Sequence, residues 1–197
     1  EDVMIAESPS NPGNAGNTLV EIGERENKLP IDAMIDLLLA DYAKTLAIFF
    51  TIGVEDMRII MADPHVCIGS DGIITSRPEK EELTKPHPRY YGTFPRVLGR
   101  YSREENLFEL PEAVRKMTSL ATDSLGIADR GRVKPGQWAD LVLFDPGTVM
   151  DTASYKDPLQ YPVGIDSVWV NGVAVVRNKE VTNAAPGQIL KQSTASH

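Results

Sequence analysis

The chain has 197 residues, 42 % hydrophobic and 24 % charged, and its 20 Lys and Arg against 28 Asp and Glu leave a net charge of −8. These proportions are ordinary for a soluble globular chain, and the acidic balance argues against nucleic acid or an anionic membrane as partner, since both need clustered Lys and Arg. A single cysteine, Cys67, excludes an internal disulfide framework and a multi-cysteine zinc module. No apolar run approaches the roughly 18 residues of a membrane span. The start, Glu1-Asp2-Val3-Met4, has neither the basic residues nor the apolar core of a signal peptide. A cytoplasmic protein is therefore expected, and the absence of an opening Met suggests a sequence that begins within a longer one. The length suits one domain, or one and a part.

Val3-Met4-Ile5-Ala6 is a short apolar run, read as a strand, and the polar, Gly-containing stretch from Ser8 to Asn17 reads as the loop of a strand-to-helix connection or as a disordered terminus. Pro30 opens a helical pattern in which Ile31, Met34, Ile35, Leu38, Tyr42 and Leu46 recur every three or four residues. Leu37 and Leu39 widen that face, so the helix is expected to be well buried. Ala47 to Ile52 is β-branched and aromatic, as in a strand. Val54 to Met61 suits a short helix, with Glu55 and Asp56 placed to favour its dipole.

Residues 65–70 read as a buried parallel strand, since they form a short apolar run without alternation. The polar stretch from Thr75 to Arg89 holds three prolines and reads as a long loop. Helices are expected to resume at Phe94-Pro95-Arg96, with Val97, Leu98 and Tyr101 on one side. Ser102-Arg103-Glu104-Glu105 has the spacing of a capping box but lacks a following apolar run. Another helix should start at Pro111, and Gly126 should end the helical region. Beyond it, Asp140 to Asp145 reads as a strand. Asn171-Gly172 between two β-branched runs is a strong hairpin signal, because both turn residues must accept positive φ.

Ser70-Asp71-Gly72 is the sharpest candidate for chemistry. In α/β folds ligands gather at the carboxyl ends of parallel strands, where a carboxylate can serve as general base or metal ligand; an ordinary Asp-Gly turn is the alternative. Arg89, in His87-Pro88-Arg89, can clamp a carboxylate through its forked guanidinium, or can simply be a solvated surface residue. The three histidines, His65, His87 and His197, have no metal-ligand spacing, and a catalytic zinc needs about three protein ligands. His65 is expected at the far end of its strand, about 20 Å from Asp71 by strand rise. Cys67 is expected as a buried small hydrophobe in that strand.

Ile68 to Gly72, His87 to Gly99, Ala113 to Thr118 and Ile127 to Val133 resemble the N-acyl-D-amino-acid deacylases (D-aminoacylases). Gly136 to Pro146 and Val168 to Gly172 resemble the tail of the wider amidohydrolase superfamily. The match is dense between about 54 and 176. It implies an α/β fold: the last strand–helix units of a (β/α)8 barrel over 1–126, then C-terminal strands of a small β-sandwich over 127–197. A complete barrel needs roughly 250 residues, so the resemblance implies a C-terminal portion only. It implies zinc in the complete enzyme, held by ligands with no matching positions here, and none expected on this chain alone. Cys67 does not match the family's bridging cysteine.

Asp71 matches the acid/base that takes a proton from zinc-bound water and returns it to the leaving amine, and it is a possible ligand of a second metal only. Arg89 matches the group thought to bind the substrate's α-carboxylate; no catalytic role is assigned to His87. The implied substrate is an N-acyl-D-amino acid. The implied partners are the missing N-terminal barrel portion and, through uncovered apolar faces, a second copy. The chain alone is expected to be inactive. Two alternatives stay open: an amidohydrolase acting on a cyclic amide or dipeptide, and a non-catalytic subunit completing a barrel in trans.

Overall fold

The computed structural model describes residues 2–73 and 84–190. They form helices and two antiparallel sheets, divided between two compact units. The first draws on Glu1–Gly53, Asp71–Gly92 and Thr152–Tyr161, and the second on Val54–Ser70, Thr93–Asp151 and Pro162–His197.

In the first unit, β1 (Val3–Glu7) pairs antiparallel with β2 (Leu46–Phe49), placing Met4 opposite Ile48. The loop after β1 folds back onto it: the Ile5 N–H donates to the Asn17 carbonyl at 2.9 Å, and the Gly16 N–H donates to the Ile5 carbonyl at 2.8 Å. Helix α1 (Leu19–Glu26) follows, started by a complete capping box between Thr18 and Glu21. Sequence reasoning passed over this helix, although Thr18-x-x-Glu21 is its signature. Helix α2 (Pro30–Ala40) begins at the expected proline. Its burial differs from expectation. Ala33 and Leu37 pack with Ile5, Leu19 and Ile22, but Ile31, Ile35 and Leu39 are exposed, Leu39 at 70 %. A pattern of apolar spacing shows which face can be covered, and the described residues of this unit cover only one edge of it.

In the second unit, α3 (Val54–Ala62) forms as expected. Residues 65–70 correct the sequence reading, because they are not a strand and Cys67 is exposed. A strand exists only where neighbours take up its N–H and C=O groups, and the described sheets place none beside this segment. The Ile68 N–H donates instead to the Lys116 carbonyl at 3.1 Å. Lys116, with no exposed surface, sends its Nζ to the carbonyls of Asp63 and Val66, just past the end of α3.

Helix α4 (Arg89–Arg96) starts earlier than expected and contains Pro95 in its interior. It runs into a π-helical stretch, Val97–Glu104. A proline inside a helix removes a donor and crowds the preceding turn, and a widened turn beside it is one relief. Ser102 to Glu105 therefore lie at the end of a helix and cap no start. Glu105 instead accepts from Arg58 Nε at 2.9 Å and Arg100 Nε at 2.7 Å.

Helices α5 (Leu110–Met117) and α6 (Ser119–Ser124) complete the helical part, and Gly126 follows at φ 69°. The second sheet orders β3 (Leu141–Phe144), β4 (Ile165–Val170), β5 (Val173–Arg177) and β6 (Glu180–Val181) side by side. Asn171 and Gly172 make the expected turn at φ 50° and 80°. The core gathers Met61, Val97, Leu98, Tyr101, Ala113 and Val149. Two glycines permit it. A Cβ on Gly99 would strike the Val149 carbonyl, and one on Gly164, at φ 77°, would strike the Val149 backbone.

Candidate active site

Asp71 and Arg89 meet. Arg89 Nη2 lies 2.9 Å from Asp71 Oδ2. The pair belongs to the first unit, so the two residues that sequence reasoning singled out separately share one place. Asp71 sits in the left-handed region at φ 47°, a conformation Asp tolerates better than most residues, and its carboxylate is 85 % exposed. It does not stand at the end of a buried strand, as expected from the sequence. Arg89 is half-buried and is the first residue of α4, not the last of a loop. Of the expected loop, positions 74–83 lie outside the described residues, as does His197.

The start of α4 is held locally. The Arg89 N–H donates to His87 Nδ1 at 3.0 Å. The Tyr90 N–H donates to the His87 carbonyl at 3.1 Å, and the Gly92 N–H to the Pro88 carbonyl at 2.9 Å. These bonds take up the donors that every helix start leaves over. On its other side, His87 Nε2 lies 3.3 Å from the Tyr155 hydroxyl oxygen, and the two rings meet edge to face at 5.2 Å. Phe50, just past β2, packs edge to face on Tyr155 with centroids 4.8 Å apart. Burial lowers the His87 pKa, the Arg89 guanidinium lowers it further, and the Asp71 carboxylate opposes both. The imidazole is thus held towards its neutral form. Sequence reasoning missed Tyr155 and Phe50; both are far from His87 along the chain, and no local motif marks them.

The arrangement offers an exposed carboxylate, a guanidinium that can exchange one carboxylate for another, and a neutral imidazole beside a phenol. It does not offer a metal centre. Among the described residues no group of three or more His, Cys, Asp and Glu is placed to hold a metal ion. His65 is exposed and leans on Asp63, with Nδ1 3.3 Å from Oδ1, and both nitrogens of His87 face other partners. The described residues here do not make up a zinc-ligand set, and Asp71 stands without companion ligands among them.

The sequence matches the model of the amidohydrolase family over residues 36–176. The chain belongs to that family. It is 40 % identical over 184 residues to a D-aminoacylase of Alcaligenes xylosoxydans xylosoxydans, covering 93 % of this chain and 36 % of that protein. It is 37 % identical over 195 residues to an N-acyl-D-glutamate deacylase of the same organism, covering 99 % of this chain and 37 % of that one. Among solved structures, the crystal structure of a D-aminoacylase superposes with a TM-score of 0.81 at 41 % identity, over 93 % of this chain and 36 % of that one. An N-acyl-D-glutamate deacylase from Bordetella bronchiseptica, solved with zinc and a phosphonate inhibitor, gives 0.78 at 36 % identity, over 93 % and 38 %. The chain thus spans little more than a third of the length of these relatives.

Proposed function

We propose that the chain is the C-terminal portion of a hydrolase that converts N-acyl-D-amino acids to a carboxylate and a free D-amino acid. In this reading residues 1–126 belong to the last part of a (β/α)8 barrel, with the antiparallel β1–β2 pair departing from its parallel strand order, and 127–197 are tail strands of a β-sandwich. Zinc belongs to that complete protein and finds its ligands there. The kinship to D-aminoacylases and N-acyl-D-amino-acid deacylases supports the substrate class.

The observation that carries the assignment of roles is the Asp71–Arg89 ion pair. Asp71, exposed and acceptor-only when ionised, takes a proton from the attacking water and gives it to the departing amine. Arg89 holds the substrate's α-carboxylate through two parallel N–H···O bonds. An exposed ion pair is worth only about 0–1 kcal/mol, so a substrate carboxylate can replace Asp71 on the guanidinium and leave Asp71 available for proton transfer.

Kinetics of the complete protein on N-acetyl-D-methionine test this reading. Asp71→Asn keeps the shape and removes the base, and kcat is expected to fall by roughly 10² or more with KM little changed. Arg89→Ala should mainly raise KM, and Arg89→Lys should recover only part of it, because an ammonium cannot make the paired contact. A near-wild-type kcat for Asp71→Asn would falsify the acid/base role. The 197-residue chain assayed alone is expected to release no free amine.

A further inference from the structure

We infer that His87 and Tyr155 are positioning residues for Arg89, acting through one tautomer of the imidazole. The inference deepens the proposed function, since it rests on Arg89 as the carboxylate clamp. His87 Nδ1 receives the Arg89 N–H at 3.0 Å. A nitrogen that accepts carries no proton, so in the neutral ring the proton sits on Nε2. Nε2 then donates to the Tyr155 hydroxyl oxygen 3.3 Å away. Tyr155 is in turn braced by the Phe50 ring.

The geometry is that of an Asx-turn with imidazole in place of a carboxamide: a side-chain acceptor takes the backbone N–H two residues on. Pro88 lies between, with φ fixed by its ring, so the turn has little freedom to lose. The result is that α4 begins at Arg89 and the guanidinium leaves the backbone from a defined point. His87 touches no reacting atom in this scheme. It acts through Arg89, and Tyr155 acts through His87.

Three measurements test the inference. On the 197-residue chain with labelled histidine, long-range proton–nitrogen correlations near neutral pH should show His87 protonated on Nε2 only; protonation on Nδ1, or an even mixture, overturns it. The order of the Arg89 Nε–H vector, from its nuclear Overhauser effect, should fall in His87→Leu and be retained in His87→Asn, whose Oδ1 can take the place of Nδ1. Equal loss in both variants also overturns it.

In the complete protein, His87→Leu should raise KM for an N-acyl-D-amino acid about fivefold to tenfold, the scale of one helix cap, with kcat nearly unchanged. Tyr155→Phe should give a smaller rise, and His87→Asn should stay near wild type. A fall in kcat with KM unchanged would make His87 catalytic and refute a positioning role. If the complete protein fails to hydrolyse these substrates while both spectroscopic results hold, the substrate reading fails and the control of Arg89 by His87 stands.

Discussion

The two units satisfy their polar groups in different ways. In the first, several partners lie close along the chain, although Asp41, which accepts the Ser10 N–H at 2.7 Å, and the Asp71–Arg89 and His87–Tyr155 contacts draw on distant ones. Thr18 and Glu21 cap each other, His87 caps Arg89, and Thr45 serves Asp41 at 2.5 Å. In the second, beside local pairs such as Arg100 with Glu105, the most buried groups reach far along the chain. Lys116 reaches the carbonyls of Asp63 and Val66, Arg103 reaches the Val149 carbonyl at 2.7 Å, and Arg130 reaches Asn171 at 2.6 Å. Among the described residues the first unit also leaves one face of α2 uncovered, whereas the backbones around Val149 in the second approach so closely that glycine alone fits at 99 and 164. A locally satisfied unit can present its functional groups at the surface. A unit built on distant contacts depends on every one of them.

If so, the largest losses of stability should come from the second unit. Gly164→Val must displace the Val149 backbone and abandon a positive φ, so it is expected to cost about 3 kcal/mol or more. Chemical denaturation of the purified variant measures this. A loss under about 1 kcal/mol would show that the strand entry is free to shift.

Next is Lys116→Met, which keeps the length of the buried side chain but strips the part-buried carbonyls of Asp63 and Val66 of a donor. The expected cost is about 1–3 kcal/mol, and amide exchange of Ile68, bonded to the Lys116 carbonyl, should quicken. Unchanged exchange would mean that the 63–68 segment is held by something other than Lys116.

Acid should affect both units in the same window, and so checks where their resemblance begins. Burial pushes the Asp41 carboxyl up, but hydrogen bonds from Ser10, Thr45 and Ser8 outweigh it and bring it down to about 2. Hydrogen bonds from Arg58 and Arg100 hold Glu105 at about 2 as well. Both folded values lie below the ordinary range of a free carboxylate, so both carboxylates stabilise the native state at neutral pH. That contribution is expected to disappear as pH falls from about 4.5 to about 2. Asp41→Asn and Glu105→Gln should each flatten part of the drop in Tm between pH 6 and pH 3, and a drop that neither variant alters would contradict the assignment.

The smallest effect on folding should come from the uncovered face of α2. Leu39→Glu is expected to change stability by no more than about 0.5 kcal/mol, yet to reduce concentration-dependent light scattering if that face drives self-association. A wild-type chain that stays monodisperse at all concentrations would remove the motive for the substitution.

How much of this was legible beforehand follows the same division. Pro30, Val54 and Pro111 marked helices, and Asn171-Gly172 marked a hairpin, because caps, prolines and positive-φ turns act within a few residues. Thr18-x-x-Glu21 was equally legible and was passed over. Asp71 and Arg89 were named as residue types, but their pairing was not visible, since nothing local specifies which distant carboxylate a guanidinium meets. Residues 65–70 have the composition of a buried strand and are not one here, because a strand is made by its neighbours. Leu39 has the spacing of a core residue and is exposed, because periodicity defines a face and packing decides whether anything covers it. By itself, then, the sequence determined the elements whose stabilising groups lie within one turn of each other, and the family to which the chain belongs. The tertiary structure alone decided the Asp71–Arg89–His87–Tyr155 arrangement and the buried role of Lys116, since those energies exist only after distant segments have been brought together.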